Sequence, residues 1–492
     1  MSKTLFCTIF STLFFLSSYA QYNDDLFELT LKDVVQLAKE QSTAALAAET
    51  RKERFYWLYR SYLSEYKPRL VLSGDLPDFT RNIEPITQED GSIVYQPVSQ
   101  NDTRLNLDAT QSIGYTGTEF FLRSSVFRFD DFDRDIVRYS GNPAVIGVRQ
   151  PLFQFNSLQW NRKIEPLRYE ESQREYVEEL ETIALEATAR FFDLLLAQVS
   201  MEVAQKNVAN NDTIYRIAQG RYNLGRIAEN DLLQLELNLM NSRQAVAQAE
   251  LDLETSTLRL KSYIGFNQNQ NIVLIAPDEI PEFVVEEADA LQQARNNRST
   301  VVEFERRLAE AEAEVAQERG NTGLNANLVA TFGFTNRADT YPELYRNPDD
   351  QQTINIGFFI PVLDWGRQKS RVKTAEAFRE LEQFTVAQDR INFEQEVLTK
   401  VRTFKMLRNR ADITAVADDI ADRSYNISYN RYLIGKISIT DLVRSMEEKD
   451  RARTQYIESL REFWLAYYDL RALTLYDFEA DNILIENIIH GR

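Results

Sequence analysis

The strongest constraint on this chain is that it carries the same pattern twice. Arg221-Tyr222-Asn-Leu-Gly225-Arg-Ile227-Ala-Glu-Asn-Asp231-Leu232 recurs as Arg431-Tyr432-Leu-Ile-Gly435-Lys-Ile437-Ser-Ile-Thr-Asp441-Leu442, 210 positions further on. Upstream, Ile146-Gly147-x-x-x-Pro151 recurs as Ile356-Gly357-x-x-x-Pro361 at the same spacing. One spacing held at two separated places is the mark of a tandem duplication with no net insertion between the landmarks. A looser match pairs Ala38 in VVQLAKEQS with Ala294 in ALQQARNNRS, 256 positions apart. The first half therefore holds roughly 46 additional residues between its opening helix and Gly147.

Each half reads in the same order: a helix, strands, then a very long helical hairpin. Leu31 to Tyr66 is rich in Ala, Leu, Glu and Lys and stops before Pro68; Asp289 to Arg319 is its counterpart, closed by Gly320 and Gly323. The period then changes to that of a strand. Leu324, Ala326, Leu328, Ala330, Phe332 and Phe334 alternate with Asn325, Asn327, Val329, Thr331, Gly333 and Thr335, and Ile354, Ile356, Phe358 and Ile360 alternate with Thr353, Asn355, Gly357 and Phe359. A polar loop, Asn336 to Gln352, lies between them. In the first half Leu70 to Gly74, Leu105 to Ala109, Phe120 to Phe129 and Ala144 to Leu152 are the candidates, which places strands at about 69–153 and 324–362. Such alternation suits a transmembrane barrel strand. It suits a soluble antiparallel sheet with one wet face as well. The following stretches, Leu158 to Gln219 and Gln368 to Leu433, read as uninterrupted helices. Helices of roughly 60 residues would span ~90 Å, a length foreign to ordinary globular domains and suited to a coiled-coil conduit.

Composition removes most catalytic classes. The first twenty residues read as a secretory leader: Lys3, an apolar run from Leu5 to Leu16, and small residues at Ser18 and Ala20, with cleavage expected before Gln21. The single cysteine, Cys7, falls inside that leader. No disulfide framework, thiol nucleophile or cysteine metal site is then available to the mature chain. The single histidine, His490, stands near the C-terminus, which argues against histidine triads and His-rich metal centres. The net charge of −19 makes nucleic acid an unsuitable partner. No phosphate-cradling Gly-rich loop with Lys and Ser/Thr is present. The reading is a non-enzyme with no cofactor and no metal. After the leader there is no apolar window long enough for a membrane helix, so entry into a membrane would require a β-barrel.

The repeated Arg-Tyr-x-x-Gly-x-Ile element marks the two hairpin tips, at 221–231 and 431–441. Gly225 and Gly435 sit where a left-handed C-cap is wanted. Arg221 and Arg431 lie in the last turn, where a cation complements the helix end. Ser438 and Asp441 have capping-box spacing, and in the first copy Asn230 is the candidate cap. Turn chemistry accounts for Gly and Ser. The recurrence of Tyr222 with Tyr432, and of Ile227 with Ile437, in a solvent-facing turn predicts exposed apolar groups and a docking surface.

These features together resemble the TolC-like outer-membrane efflux channel family. Four carry the likeness: the opening Leu29-Thr-Leu-Lys-Asp-Val-Val-Gln-Leu-Ala38; the strand-to-helix junctions Gln150-Pro151-Leu-Phe and Ile360-Pro361-Val-Leu-Asp-Trp365-Gly366; the two tips; and the duplication. The resemblance implies a mainly α protein with β. Tandem-duplicated long α-helical hairpins would form a coiled-coil tunnel, and strands would join an intermolecular transmembrane β-barrel of twelve strands. It implies a homotrimer in outer-membrane lipid, a periplasmic helical domain with an equatorial linker at 266–288, and tips that dock a periplasmic adaptor (membrane fusion protein) serving an inner-membrane pump. The first repeat is then 21–265, the second 289–478, and the tail 479–492. By position, Tyr432 matches a tyrosine of the periplasmic gate, and Asp441, with Asp231 as its repeat mate, an acid of the aperture. The chain departs from the family at Ile437, where arginine can stand, and at Arg444, where a second acid can stand. The competing reading is a periplasmic or surface coiled-coil scaffold without transport. The adaptor itself is a further rival, but it would carry one hairpin flanked by other modules.

Overall fold

The structure, a computed structural model, describes residues 26–266, 271–277 and 280–485. The leader, the cleavage point before Gln21 and His490 lie outside the described residues. In chain order the elements are β1 (Leu26–Leu29), α1 (Leu31–Gln41), α2 (Thr43–Glu65), β2 (Arg69–Asp75), β3 (Phe79–Thr87), β4 (Ile93–Ile113), β5 (Thr118–Asp131), β6 (Ile136–Leu152), α3 (Ser157–Asn223), α4 (Glu229–Ile264), β7 (Asn271–Leu274), α5 (Glu287–Asn297), α6 (Ser299–Gly320), β8 (Asn325–Ala338), β9 (Asp349–Phe359), α7 (Arg367–Leu433), α8 (Ile439–Thr474), β10 (Tyr476–Asp477) and β11 (Asn482–Ile483). The chain divides into two compact units, each drawing on both repeats. One gathers Met1–Ser42, Glu186–Ile280 and Asp418–Glu458; the other gathers Thr43–Leu185, Pro281–Ala417 and Ser459–Arg492.

The helices form where the sequence offers caps and formers. Thr30 and Asp33 make a reciprocal capping box at the start of α1: the Asp33 amide donates to the Thr30 hydroxyl (3.3 Å) and the Thr30 amide donates to the Asp33 carboxylate (2.9 Å). The expected single helix from Leu31 to Tyr66 is two helices, because Ser42 takes an extended conformation (φ −65°, ψ 148°). Its counterpart, expected from Asp289 to Arg319, breaks in the same way at Arg298 (φ −66°, ψ 141°), 256 positions later. In both, the amide after the break still reaches back one turn, Ser42 to Ala38 (3.2 Å) and Arg298 to Ala294 (3.1 Å). α3 and α7 are each 67 residues long, ~100 Å at 1.5 Å per residue. Pro166 stands inside α3, so that stretch is not free of helix breakers. It removes one backbone donor, yet the helix runs on.

In the first unit, Phe191, Phe192, Leu194, Leu260 and Ile264 are fully buried beside the parallel pair β1–β7, whose register matches Leu29 with Leu274. The second unit buries an aromatic chain of Phe404, Phe463, Trp464 and Tyr467, extended by the half-buried Phe283, with successive ring centroids 5.3 to 5.6 Å apart. Next to it the Arg471 guanidinium meets Glu181 (2.9 Å) and Asp477 (2.5 Å). A buried cation is tolerable only with such paired carboxylates.

The second unit also holds one antiparallel sheet, in the order β2-β4-β5-β6-β8-β9, with β3 continuing β2 along the upper part of β4. The path thus contains six strands, where a twelve-stranded trimeric barrel would need four per chain. The added hairpin is the one the long first half encodes. β8 and β9 also lengthen into the expected loop, which shrinks to residues 339–348 with a 3₁₀ turn at Tyr341–Tyr345. A bulge opens between Gly141 and Val145, around Pro143, where the missing amide costs no ladder bond.

Candidate functional site at the hairpin tips and the sheet face

Both tips are the same closure. Gly225 (φ 69°) donates its amide to the Tyr222 carbonyl (2.8 Å), and the Arg226 amide donates to Arg221 (2.9 Å). Gly435 (φ 74°) and Lys436 repeat the pair with Tyr432 and Arg431, both at 2.9 Å. Crossed bonds of this kind define a Schellman cap, and they need a residue at positive φ. No atom lies within 4 Å of where a Cβ would stand on either glycine, so backbone conformation selects it. At the start of α8, Ser438 and Asp441 form the expected capping box: the Asp441 amide donates to the Ser438 hydroxyl (3.2 Å), which donates to the Asp441 carboxylate (2.7 Å). Asn230 does not cap α4. Its cap position is Ala228, which has no side-chain bond, and Glu229 and Asp231 complement the helix end by charge alone.

The recurring apolar residues point inward. Tyr432, Ile214, Ala218, Leu235, Tyr425 and Leu442 make one cluster, with Ile227 and Ile437 packed against it. The exposure expected at Tyr432, Ile227 and Ile437 is therefore not found, because the second tip lies beside the first and covers them. Tyr222 remains partly open at 38%. Arg221 joins the tips: its guanidinium donates to the Leu433 carbonyl (3.0 Å) and lies 5.4 Å from the Tyr432 ring centroid. Arg221 thus satisfies an orphan carbonyl at the end of α7, not of its own helix. Burial raises the Tyr432 hydroxyl above its ordinary pKa, while the nearby Arg221 charge opposes the shift. Arg431 and Asp441 are exposed and Asp231 is half-buried.

What projects from the tips is a different pair. Leu224 and Ile434, equivalent in the duplication, are 71% and 66% exposed, and each is followed two residues on by an exposed cation, Arg226 or Lys436. The sequence had offered a signal: both stand directly before the capping glycine. A second missed feature is an open heptad seam on α4 and another on α7. Leu233, Leu237, Met240, Leu251 and Leu258 on α4, and Ile413, Val416, Ile420 and Ile427 on α7, are all exposed. Their spacing is that of coiled-coil a and d positions.

The sheet presents a continuous apolar face. Directly paired residues share a face. The registers Leu72–Leu107, Ala109–Leu122, Leu122–Ile146, Ile146–Phe332 and Ala330–Ile354 therefore carry one band across all six strands. Its residues face open space, up to 78% at Ile354. The opposite face is polar and ion-paired, with Arg123 on Asp108 (2.5 Å) and Arg149 on Glu119 (2.7 Å). There Gly147 makes room for the Phe121 ring, which an added Cβ would meet at 2.2 Å.

The junction residues frame this band. Pro151 closes β6 against Gly117, and Phe153 follows at positive φ (62°), exposed. Pro361 follows β9. Trp365 (φ 55°, 90% exposed) and Gly366 (φ 85°) then turn the chain into α7. Asp364 holds that turn, accepting from Gln368 (2.9 Å) and Gly366 (3.0 Å), bonds that hold its carboxyl below the usual range. Asn156 caps α3 by accepting from Gln159 (3.3 Å). It also donates to the Gly114 carbonyl (2.9 Å), tying the β4–β5 turn to the helix start. Among the described residues no cluster could hold a metal ion, and no helix is long and apolar enough to cross a membrane.

This architecture is shared with solved channels. The Campylobacter jejuni CmeC outer membrane channel superposes with a TM-score of 0.67 at 16% identity, over 94% of this chain and 88% of its own. The outer membrane protein VceC from Vibrio cholerae gives 0.62 at 14%, over 90% and 96%. The open-state Neisseria gonorrhoeae MtrE outer membrane channel gives 0.60 at 14%, over 90% and 88%. An uncharacterised protein of Haemophilus influenzae is 25% identical over 114 residues, 22% of this chain, so the match spans about a quarter of that relative's length. The sequence family described as outer membrane efflux protein matches residues 130–266 and 290–474, one segment in each repeat. The chain belongs to the outer membrane efflux protein family.

Proposed function

We propose that three copies of this chain form an exit duct through the outer membrane, fed by a periplasmic adaptor and an inner-membrane pump. The observation that carries the reading is the open sheet. Its apolar face runs uninterrupted to two unpaired edges, β2 and β9. In hydrocarbon, unpaired edges are untenable, and six strands cannot close alone. Other copies must complete the wall. A scaffold would need no such face. The heptad seams on α4 and α7 likewise call for a neighbouring helix to cover them.

The apolar band faces lipid, and Trp365 and Phe153 sit where aromatic residues mark a membrane boundary. The polar face lines the duct. Repeats 21–265 and 289–478 each supply one long hairpin to the tunnel, joined by residues 266–288. The tips form the mouth: Leu224 and Ile434 dock the adaptor, aided by Tyr222, Arg226, Arg431 and Lys436, while Gly225 and Gly435 hold the turns. Tyr432, Ile227 and Ile437 support the mouth from within. Asp231 and Asp441 place acids at the aperture, with Ile437 and Arg444 setting this gate apart from relatives that carry arginine and acid there. The duct is passive, and the leader at 1–20 directs export.

The test is transport. In cells lacking their own channel, the protein with its cognate adaptor and pump should lower accumulation of an exported dye. Leu224→Glu with Ile434→Glu should abolish this without loss of the outer-membrane trimer. Dye export that survives the double substitution would remove the tips from docking; loss of the trimer would make them structural.

A further inference from the structure

We propose that the copies join edge to edge, β9 of one to β2 of the next, in a register fixed by the duplication, and close an eighteen-stranded barrel. This rests on the trimeric reading above and goes beyond it in strand number, contact and bore.

Direction comes first. The six strands alternate antiparallel from β2 to β9. An even count makes the two edges run in opposite senses. A head-to-tail ring of identical chains then keeps every neighbour antiparallel and leaves no free edge. Three copies of six give eighteen.

Register follows from the repeat. Within one chain, the junction between repeats is β6 on β8, with Gln150 opposite Leu328 and Val148 opposite Ala330. β9 is β6 moved by 210 positions, through Gly147 to Gly357 and Pro151 to Pro361. β2 is β8 moved by 256, since Arg69 and Asn325 open their strands and Ser42 and Arg298 break the preceding helices at that same spacing. Applying both shifts sets Ile360 opposite Leu72, Phe359 opposite Ser73 and Phe358 opposite Gly74 of the next copy. An independent check is parity. Leu72 belongs to the apolar face through Leu107, and Phe358 belongs to it through Ala326. The predicted pairs put apolar face on apolar face, whereas a slip of one residue would not. The contact Gly357 lacks fits too. Gly147 is filled by Phe121, but a Cβ on Gly357 would meet only Asn355 Oδ1, at 3.9 Å. That strand is bare on one side.

The bore is the consequence. Strands ~4.8 Å apart and tilted by about 40° give a backbone diameter of ~36 Å for eighteen strands against ~24 Å for twelve. The membrane segment is then no sieve, and selection falls to the tips.

Cysteine pairs test it in a Cys7→Ser background, where no other cysteine exists. Ser73→Cys is combined in turn with Gly357→Cys, Phe359→Cys and Pro361→Cys, all on the polar face, and as a control Leu72→Cys with Phe359→Cys, on opposite faces. Mild oxidation of outer membranes should yield covalent species up to the trimer, strongest for Ser73 with Phe359 and absent for the control. Electron cryomicroscopy of the purified protein should count eighteen strands. A native trimer in which no Ser73 pair links, or whose wall holds twelve strands, overturns the inference while leaving the trimeric duct intact. A protein that never forms a trimer overturns both.

Discussion

Replacing Arg221 with alanine should loosen the mouth. The guanidinium is half-buried and makes two contacts to the second tip, a 3.0 Å bond to the Leu433 carbonyl and a face-on approach to Tyr432 at 5.4 Å. A partly exposed charge-assisted bond contributes roughly 0.5–1 kcal/mol after solvent screening, and an exposed cation–π contact a similar amount. Their sum, ~1–2 kcal/mol, is a factor of about 5–30 in a two-state equilibrium. If opening separates the tips of one chain, the open fraction of purified channels in planar bilayers should rise by that factor. Arg226→Ala, which removes an exposed cation nearby, should leave it unchanged. Equal open fractions for wild type and Arg221→Ala would show that the mouth does not part at this contact.

Four further outcomes follow. Gly225→Val and Gly435→Val force a β-branched residue into positive φ at a cost of about 1–3 kcal/mol each; dye efflux should be lost while trimer yield persists. Asp441→Ala removes half of the Ser438 capping box, about 1 kcal/mol, and should raise resting conductance; unchanged conductance would remove Asp441 from the aperture. Ile420→Asp with Ile427→Asp charges the exposed seam of α7 and should lower trimer yield without reducing helix content by circular dichroism. Glu175 is held above the usual carboxylate range by burial, then by Glu171 and Glu178, against a lowering by Arg306. The folded state therefore binds this proton more readily than the unfolded state. Its ionised form weakens the fold at neutral pH, and stability should recover as pH falls through the folded pKa. Glu175→Gln should raise the unfolding midpoint at neutral pH and flatten that dependence in thermal melts.

Local rules made much of this fold legible. Gly225 and Gly435 stand at positive φ because crossed caps demand it, and Ser438 with Asp441 pairs three residues apart; both signals lie within one turn of chain. The alternation in β8 and β9 named the apolar face correctly for the same reason, since period two needs no partner. What stayed hidden depends on distant partners. Tyr432 and Ile437 read as exposed because their cover, the other tip, lies 210 positions away. Leu224 and Ile434 carry the projecting surface; their place directly before the capping glycines is the sequence signal for it, and the burial of Tyr432, Ile227 and Ile437 singles them out. The breaks at Ser42 and Arg298 use neither Gly nor Pro, and Pro166 fails to break α3. Packing decided these cases against propensity. The sheet order, and with it the count of six, required the pairing of β4 with both β2 and β3.

The central claim is that this chain cannot complete its membrane wall alone. Light scattering on protein extracted from outer membranes in detergent measures it most directly. Particles should contain three chains and precipitate when detergent is withdrawn. A single-chain particle that stays in aqueous solution without detergent would contradict the account.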